Sequence, residues 1–220
     1  LCRRDPERAL NTLVELCRTR LPENMGIPAA EIQVLTPTRK GPAGTVNLNR
    51  LLQEALNPKG PEKRELLWGD RLFREGDRVM QTRNDYDVVW EKEDGTVGTG
   101  MFNGDVGRIV KIDDSGEWLE LDFDGRRAVY GAEQLNEVDL AFAQTVHKAQ
   151  GSEYRCVVLA AMPAAPSLMV RGVLYTALTR ARELLVAVGD DAAIRAMAAN
   201  DRQQRRYSGL RWRLAQRDAE

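Results

Sequence analysis

At 220 residues the chain is long enough for one large domain or two small ones, and 43% hydrophobic residues suffice for a packed core. Its 32 Lys and Arg against 33 Asp and Glu give a formal net charge of −1, which excludes a global basic field, so nucleic-acid contact must come from local patches. Cys2, Cys17 and Cys156 stand far apart without a CxxC pair and His147 is the only histidine, which argues against a bound metal and a disulfide framework and for reduced, buried thiols in a cytoplasmic protein.

No apolar run approaches the roughly 20 residues of a membrane span. The start, LCRRDPERAL, is charged, lacks the apolar core of a signal peptide and has no initiating Met, so the chain reads as a piece of a longer protein.

In chain order, residues 5–20 predict an amphipathic helix, with Asp5 as N-cap, Pro6 at the first helical position and Leu10, Leu13, Val14 and Leu16 as its stripe. Residues 21–30, broken by Pro22, Gly26 and Pro28, read as irregular. A short buried strand at 32–35, a loop at 36–44 and a helix over 45–56 follow, the helix stopped by Asn57-Pro58. From 73 to 138 about five short β runs alternate with Gly/Asp/Asn turns, predicting a small barrel. Within it, EKEDGTVGTG (91–100) reads as an exposed hairpin loop. After 139 the texture returns to α/β: a strand at 157–160, a helix over 168–181, a strand at 184–188 and a helix at 192–199. The tail carries Arg202, Arg205, Arg206, Arg211, Arg213 and Arg217 among acids, as a solvated end or a nucleic-acid contact would.

Three segments carry chemistry. QTVHKAQGSE (144–153) packs Thr145, His147, Lys148, Gly151 and Glu153 between apolar runs at the end of an expected strand, where ligand loops of α/β domains sit. Thr145, His147 and Lys148 can each donate to a phosphate, and Gly151 permits close backbone approach. A lone His would be an ordinary surface side chain; the ten-residue context argues otherwise. LYTALTRAR (174–182) on a helix would place Arg180 and Arg182 about 200° apart, one aimed at a nucleotide cleft and one solvated. A surface helix with two solubilising arginines is the plain alternative. VLTPTRKGPAGTVNLN (34–49) runs from a strand through Thr38, Arg39 and Lys40 into a helix start whose free N–H groups would form an anion-binding corner. A plain strand–helix turn is the alternative there. No GxxxxGK(S/T) phosphate loop occurs.

In this order the three segments resemble motifs IV, V and VI of superfamily 1 helicases in their RecD-like form. GDRVMQTRNDYD and MFNGDVGRIV are similar to the barrel inserted in the second motor domain there. The resemblance spans about residues 10–195. It implies a RecA-like second motor domain, P-loop-NTPase-type and discontinuous (1–70 and 140–200), with an inserted SH3-like β-barrel (71–139) and an Arg-rich tail (201–220). It also implies that Arg180 is the arginine finger and Arg39 a second arginine on the phosphates of ATP. Gln150, Gly151 and Glu153 would face the nucleotide, and Thr145, His147, Lys148 and Thr38 would touch single-stranded DNA. ATP and Mg²⁺ would be bound mainly by an N-terminal helicase domain not in this sequence, leaving the segment inactive alone. Movement would be 5′ to 3′, and a monomer is the default. The helicase portion of a conjugative relaxase or nuclease-helicase subunit, or a non-enzymatic nucleic-acid-binding module, are the other readings. Asp190 and Asp191, after an apolar strand, imitate a magnesium-binding strand end out of place and read as a decoy. Tyr86, Trp90 and Phe102 are either barrel core or a base-stacking platform.

Overall fold

The structure, a computed structural model, describes residues 1–3 and 5–202; the rest of the Arg-rich tail lies outside the described residues. Helix α1 (Pro6–Glu15) is capped by Asp5, whose side chain accepts from the Glu7 N–H. It continues through a π-turn (Leu16–Arg20) into α2 (Leu21–Met25), so the expected break at Pro22 does not occur. A proline at the first turn of a helix costs no hydrogen bond, and the wider π-turn delivers the chain there; Gly26, at φ +62°, ends the run.

Strand β1 (Ile32–Thr36) is buried throughout and leads to α3 (Thr45–Leu56), with bounds close to those the sequence predicts. The chain then leaves for the barrel and returns as β11 (Ala143–Thr145), β12 (Tyr154–Ala161), α5 (Arg171–Leu178), β13 (Ala181–Gly189) and α6 (Asp191–Ala199). The strands form one parallel sheet in the order β11-β1-β12-β13. Both faces are apolar, as helices on both sides require. Ile32, Val34, Cys156, Val158 and Ala160 pack toward α1 and α3, while Leu35, Val157, Leu159 and Ala161 pack toward α5 and α6. Helix α5 stops at Leu178, and Ala181 already belongs to β13, which corrects the longer helix read from the sequence. Asp190 caps α6 by accepting from the Ala192 N–H.

A hairpin, β2 (Glu65–Trp68) with β3 (Arg71–Arg74), precedes the barrel sheet; Leu66 and Trp68 pack on the barrel core. That sheet comprises β4 (Arg78–Gln81), β5 (Asp85–Glu91), β6 (Val97–Met101), β7 (Val106–Ile112), β8 (Leu119–Phe123), β9 (Arg126–Tyr130) and, after the short α4 (Ala132–Leu135), β10 (Val138–Leu140). Its order is β10-β4-β7-β8-β9-β5-β6. Residues 91–100 are therefore not a loop but the end of β5, a tight turn and most of β6. Gly98 explains the disguise: a Cβ there would stand 2.3 Å from the Trp90 ring, so only glycine lets that indole lie across the strand.

The α/β unit and the barrel are joined by buried polar groups. Asp77, fully buried, accepts from Gln53 Nε2 (2.5 Å), Asn57 Nδ2 (2.8 Å) and the Arg74 N–H (2.7 Å). Arg74, 2% exposed, pairs with Glu65 at 2.6 Å and Glu54 at 3.0 Å. At the return, Asn49 donates to the Leu140 carbonyl (2.9 Å) and accepts from the Ala143 N–H (2.7 Å). Cys17 and Cys156 are buried, whereas Cys2 is exposed, contrary to the expectation of three buried thiols. Among the described residues no helix is long and apolar enough to cross a membrane.

Candidate nucleotide- and strand-binding site

Residues 146–151 form a tight helical turn after β11. The Val146 N–H extends the sheet ladder by donating to the Thr36 carbonyl at 3.0 Å, and the Ala149 N–H donates to Thr145 O at 3.1 Å. Val146 and Ala149 are buried; His147, Lys148, Gln150 and Gly151 are exposed. Apolar positions thus lock the turn to the sheet while its polar positions face outward. The Thr145 hydroxyl oxygen accepts from the Lys148 N–H at 3.3 Å, which leaves its own proton free to donate. Gly151 has φ +90° with open space where a Cβ would stand, so backbone conformation, not crowding, calls for glycine there. Glu153 is exposed just ahead of β12.

Arg180 follows α5 and is clipped to the same segment. Its Nη1 donates to the Ser152 carbonyl at 2.8 Å, Nε to Thr176 O at 3.2 Å and Nη2 to Thr179 Oγ1 at 3.1 Å. Two of its five N–H groups remain uncommitted. Arg182 lies on β13, so strand geometry, not the helical angle expected, separates it from Arg180.

The loop after β1 differs from the expected anion corner. The Thr45 and Val46 N–H groups donate to the carbonyls of Thr38 and Arg39, so two helix-start donors are already taken. Gly44 permits this fold-back, because a Cβ there would stand 2.4 Å from the Arg39 carbonyl oxygen. The Arg39 and Lys40 side chains stay exposed beside it. Arg39 is exposed and lies 3.9 Å from Asp139; the Thr38 hydroxyl donates to Lys40 O at 3.2 Å. Desolvation lowers the Lys148 pKa, nearby Asp139 opposes that, and Arg39 adds to it. Arg39 follows the C-terminal end of β1 and Arg180 precedes β13, so in this parallel sheet the two are rooted at opposite ends.

A groove of about 970 Å³ runs beside the turn, lined by His147, Gln150, Arg171, Tyr175, Thr176 and Arg202 among others. Sequence reading passed over Arg171, Tyr175 and Asp139. Arg171 and Tyr175 had a signal, since they stand on the polar side of the 168–181 pattern; Asp139 had none, because its partners lie far away in sequence. Of the three aromatics, Trp90 packs against the barrel core, while Tyr86 and Phe102 form an exposed edge-to-face pair with centroids 5.8 Å apart.

A doubly wound parallel sheet with polar turns at its strand ends and a small β-barrel spliced between α3 and β11 defines a RecA-like motor domain with an SH3-like insertion. Residues 48–123 match the family described as the ATP-dependent RecD-like DNA helicase SH3 domain, and residues 140–188 the UvrD-like helicase C-terminal domain. The chain therefore resembles the RecD-like helicases over its barrel and over the segment that follows it. It is 38% identical over 181 residues to the ATP-dependent RecD2 DNA helicase of Deinococcus radiodurans, covering 82% of this chain and 23% of that protein. It is 35% identical over 190 residues to the RecBCD enzyme subunit RecD of Mycolicibacterium smegmatis, covering 84% and 29%. The chain thus spans about a quarter of the length of these relatives. A Bacteroides Pif1 helicase crystallised with ADP-AlF3 and ssDNA resembles it loosely, at a TM-score of 0.49 and 18% identity over 95% of this chain and 50% of that one.

Proposed function

We propose that this segment is the second motor domain of an ATP-dependent DNA helicase that moves 5′ to 3′ on single-stranded DNA and unwinds duplex. The observation that carries the reading is the 146–151 turn, which buries Val146 and Ala149 and presents His147, Lys148 and Gln150 beside an open groove. Thr145, His147, Lys148 and Thr38 would hold DNA phosphates, a grip that does not read sequence. Gln150, Gly151 and Glu153 would face the nucleotide and Arg180 would reach its phosphates, where an arginine neutralises the charge that spreads during transfer; Arg39, expected beside it, is rooted with Thr38 at the opposite end of the sheet and would meet a DNA phosphate instead.

These residues fit part of an ATP site: they offer cations but no phosphate loop, and no cluster of three acids, Cys or His gathers among the described residues to hold Mg²⁺. Cradle and magnesium ligands would come from an N-terminal motor domain, so the segment alone would turn over no ATP. ATP, when bound, supplies the phosphoanhydride whose cleavage lets the two domains close and reopen. Similarity to RecBCD RecD subunits favours a second reading, in which the same motor works inside a nuclease-helicase assembly. In either setting the chain itself is expected to be monomeric.

The test is fluorescence anisotropy of a labelled single-stranded oligonucleotide across a salt series, with wild type beside a His147→Ala/Thr145→Ala double variant. Salt-dependent binding weakened in the double variant is expected. Full binding by that variant in the parent protein would remove this turn from the strand track.

A further inference from the structure

The segments after β1, β11 and β12 leave the same end of the parallel sheet, so Thr38, His147 and the 162–170 stretch that leads into α5 share one edge. Val146 and Ala149 of the 146–151 turn share a buried cluster with Val173, Leu174 and Ala177, which seats turn and helix side by side. The groove of about 970 Å³ lies between them. Arg171 and Tyr175 stand four residues apart on α5, so they share a face about 6 Å apart along its axis, and both line the groove.

Arg171 is anchored without being used up. Its backbone N–H donates to the Asn200 carbonyl and its Nε to the Ala198 carbonyl, each at 2.7 Å. Asn200 Nδ2 in turn donates to Met169 O at 2.9 Å and ties the preceding loop to the end of α6. The two terminal nitrogens of Arg171 have no partner among the described residues. Tyr175 differs from the other described tyrosines. Tyr130 is buried and donates to Gln81 Oε1, Tyr154 is half-buried and donates to Gln144 Oε1, and Tyr86 pairs with Phe102. Tyr175 is 66% exposed, and among the described residues its ring meets no aromatic and its hydroxyl makes no hydrogen bond.

His147 faces the groove from the turn and Arg202 from the chain beyond α6, with Asp201 the acid among the lining residues. Donors on three elements beside an open aromatic face suit a ligand that alternates anions with flat rings. The centre of a protein–protein contact is instead poor in charge.

We propose that this groove carries single-stranded nucleic acid onward from the 146–151 turn, with Arg171 on a backbone phosphate and Tyr175 stacked on a base. The proposal rests on the reading of that turn as a strand contact and adds what the turn lacks, an aromatic platform. Tyr175 accepts any base and Arg171 touches backbone alone, so this part of the grip is blind to sequence.

The test is fluorescence anisotropy with the full-length parent protein over a salt series, using labelled oligothymidine and an abasic strand of equal length. Tyr175→Ala should weaken oligothymidine binding about tenfold at an unchanged salt slope, and leave abasic-strand binding as in wild type. Tyr175→Phe, which keeps the ring, should bind as wild type does. Arg171→Gln should weaken both strands and lower the slope by about 0.7, the share of one phosphate on a single strand, and Arg171→Lys should restore it. An equal loss on both strands from Tyr175→Ala would mean that the ring packs against protein rather than a base, and overturns the proposal, as would no loss. The His147→Ala/Thr145→Ala variant is run beside these. If it loses affinity while the Tyr175 and Arg171 variants do not, the turn holds the strand and the groove does not; if none loses affinity, both readings fall.

Discussion

Arg180 and Ser152 are joined at 2.8 Å through the arginine Nη1 and the serine carbonyl, and the Arg180 carbonyl in turn accepts from the Tyr154 N–H at 2.8 Å. The proposed finger is thereby fixed to the loop that carries Gly151 and Glu153, so a shift of either must move the other. In the parent protein, Arg180→Ala should cut ATP turnover by about 10³-fold or more and abolish unwinding while sparing DNA binding. Arg180→Lys should not rescue turnover, since an ammonium cannot keep the three-way clip and also present a free donor fork. Normal turnover by the alanine variant would sink the assignment of Arg180.

The joint around Asp77 predicts a pH signature. Burial pushes this carboxyl up to about 6, against the lowering by its hydrogen bonds from Asn57, Gln53 and the Arg74 N–H and by the Arg74 charge. A folded-state value above the unfolded one means that the folded chain takes up the proton first. The stabilisation is fully present below about pH 4 and is lost as pH rises through 6. Between pH 7 and 5 wild type should therefore gain about 1 kcal/mol relative to Asp77→Asn in urea unfolding. Parallel pH profiles would contradict this account. Asp77→Ala strands two amides and a backbone N–H and should cost about 3–5 kcal/mol at any pH.

Much of the motor sheet was legible because its signals are local. A buried run ending in Thr-Pro and a helix stopped by Asn57-Pro58 gave β1 and α3 close to their observed bounds. The misses have a common cause in long-range context. Pro22 reads as a stop until the π-turn that feeds it is seen, and Gly98 reads as loop until the Trp90 ring that excludes a Cβ is seen. At the site, the outward-facing positions of the 144–153 segment were readable from residue type. The closure of the α3 N-terminus by the Thr38 and Arg39 carbonyls was not, because backbone carbonyls have no sequence signature. Asp139 was invisible for a similar reason: its partners Arg39 and Arg71 are 100 and 68 residues away.

The thiols should separate by burial. Burial, with the neighbouring Cys156, pushes Cys17 up to about 12, and burial pushes Cys156 up to about 11, so neither forms much thiolate at pH 8. Cys2 is exposed. A chromogenic disulfide reagent should release one equivalent quickly from the native chain and the other two only as denaturant unfolds the motor sheet. Fast release of two or more equivalents without denaturant would show that the sheet opens locally around Cys17 or Cys156.

The barrel aromatics allow a sharper separation of fold from function. Tyr86 and Phe102 are 66% and 43% exposed, yet they are held in place: the Asn103 N–H donates to Asn84 Oδ1 at 2.9 Å and the Phe102 N–H to Asp105 Oδ2 at 3.2 Å. A pair fixed but not buried contributes little to stability, and replacing both by Ala should change it by about 0.5 kcal/mol or less. If bases of a bound strand stack there, the double alanine variant of the parent protein should bind a single-stranded oligonucleotide about tenfold more weakly. The slope of affinity against salt should stay the same, because no phosphate contact is removed. Trp90→Ala should behave in the opposite way, costing about 2 kcal/mol of stability because the half-buried indole packs against the barrel core. Wild-type affinity in the Tyr86/Phe102 variant would take the pair out of the strand track and leave the grip to the 146–151 turn.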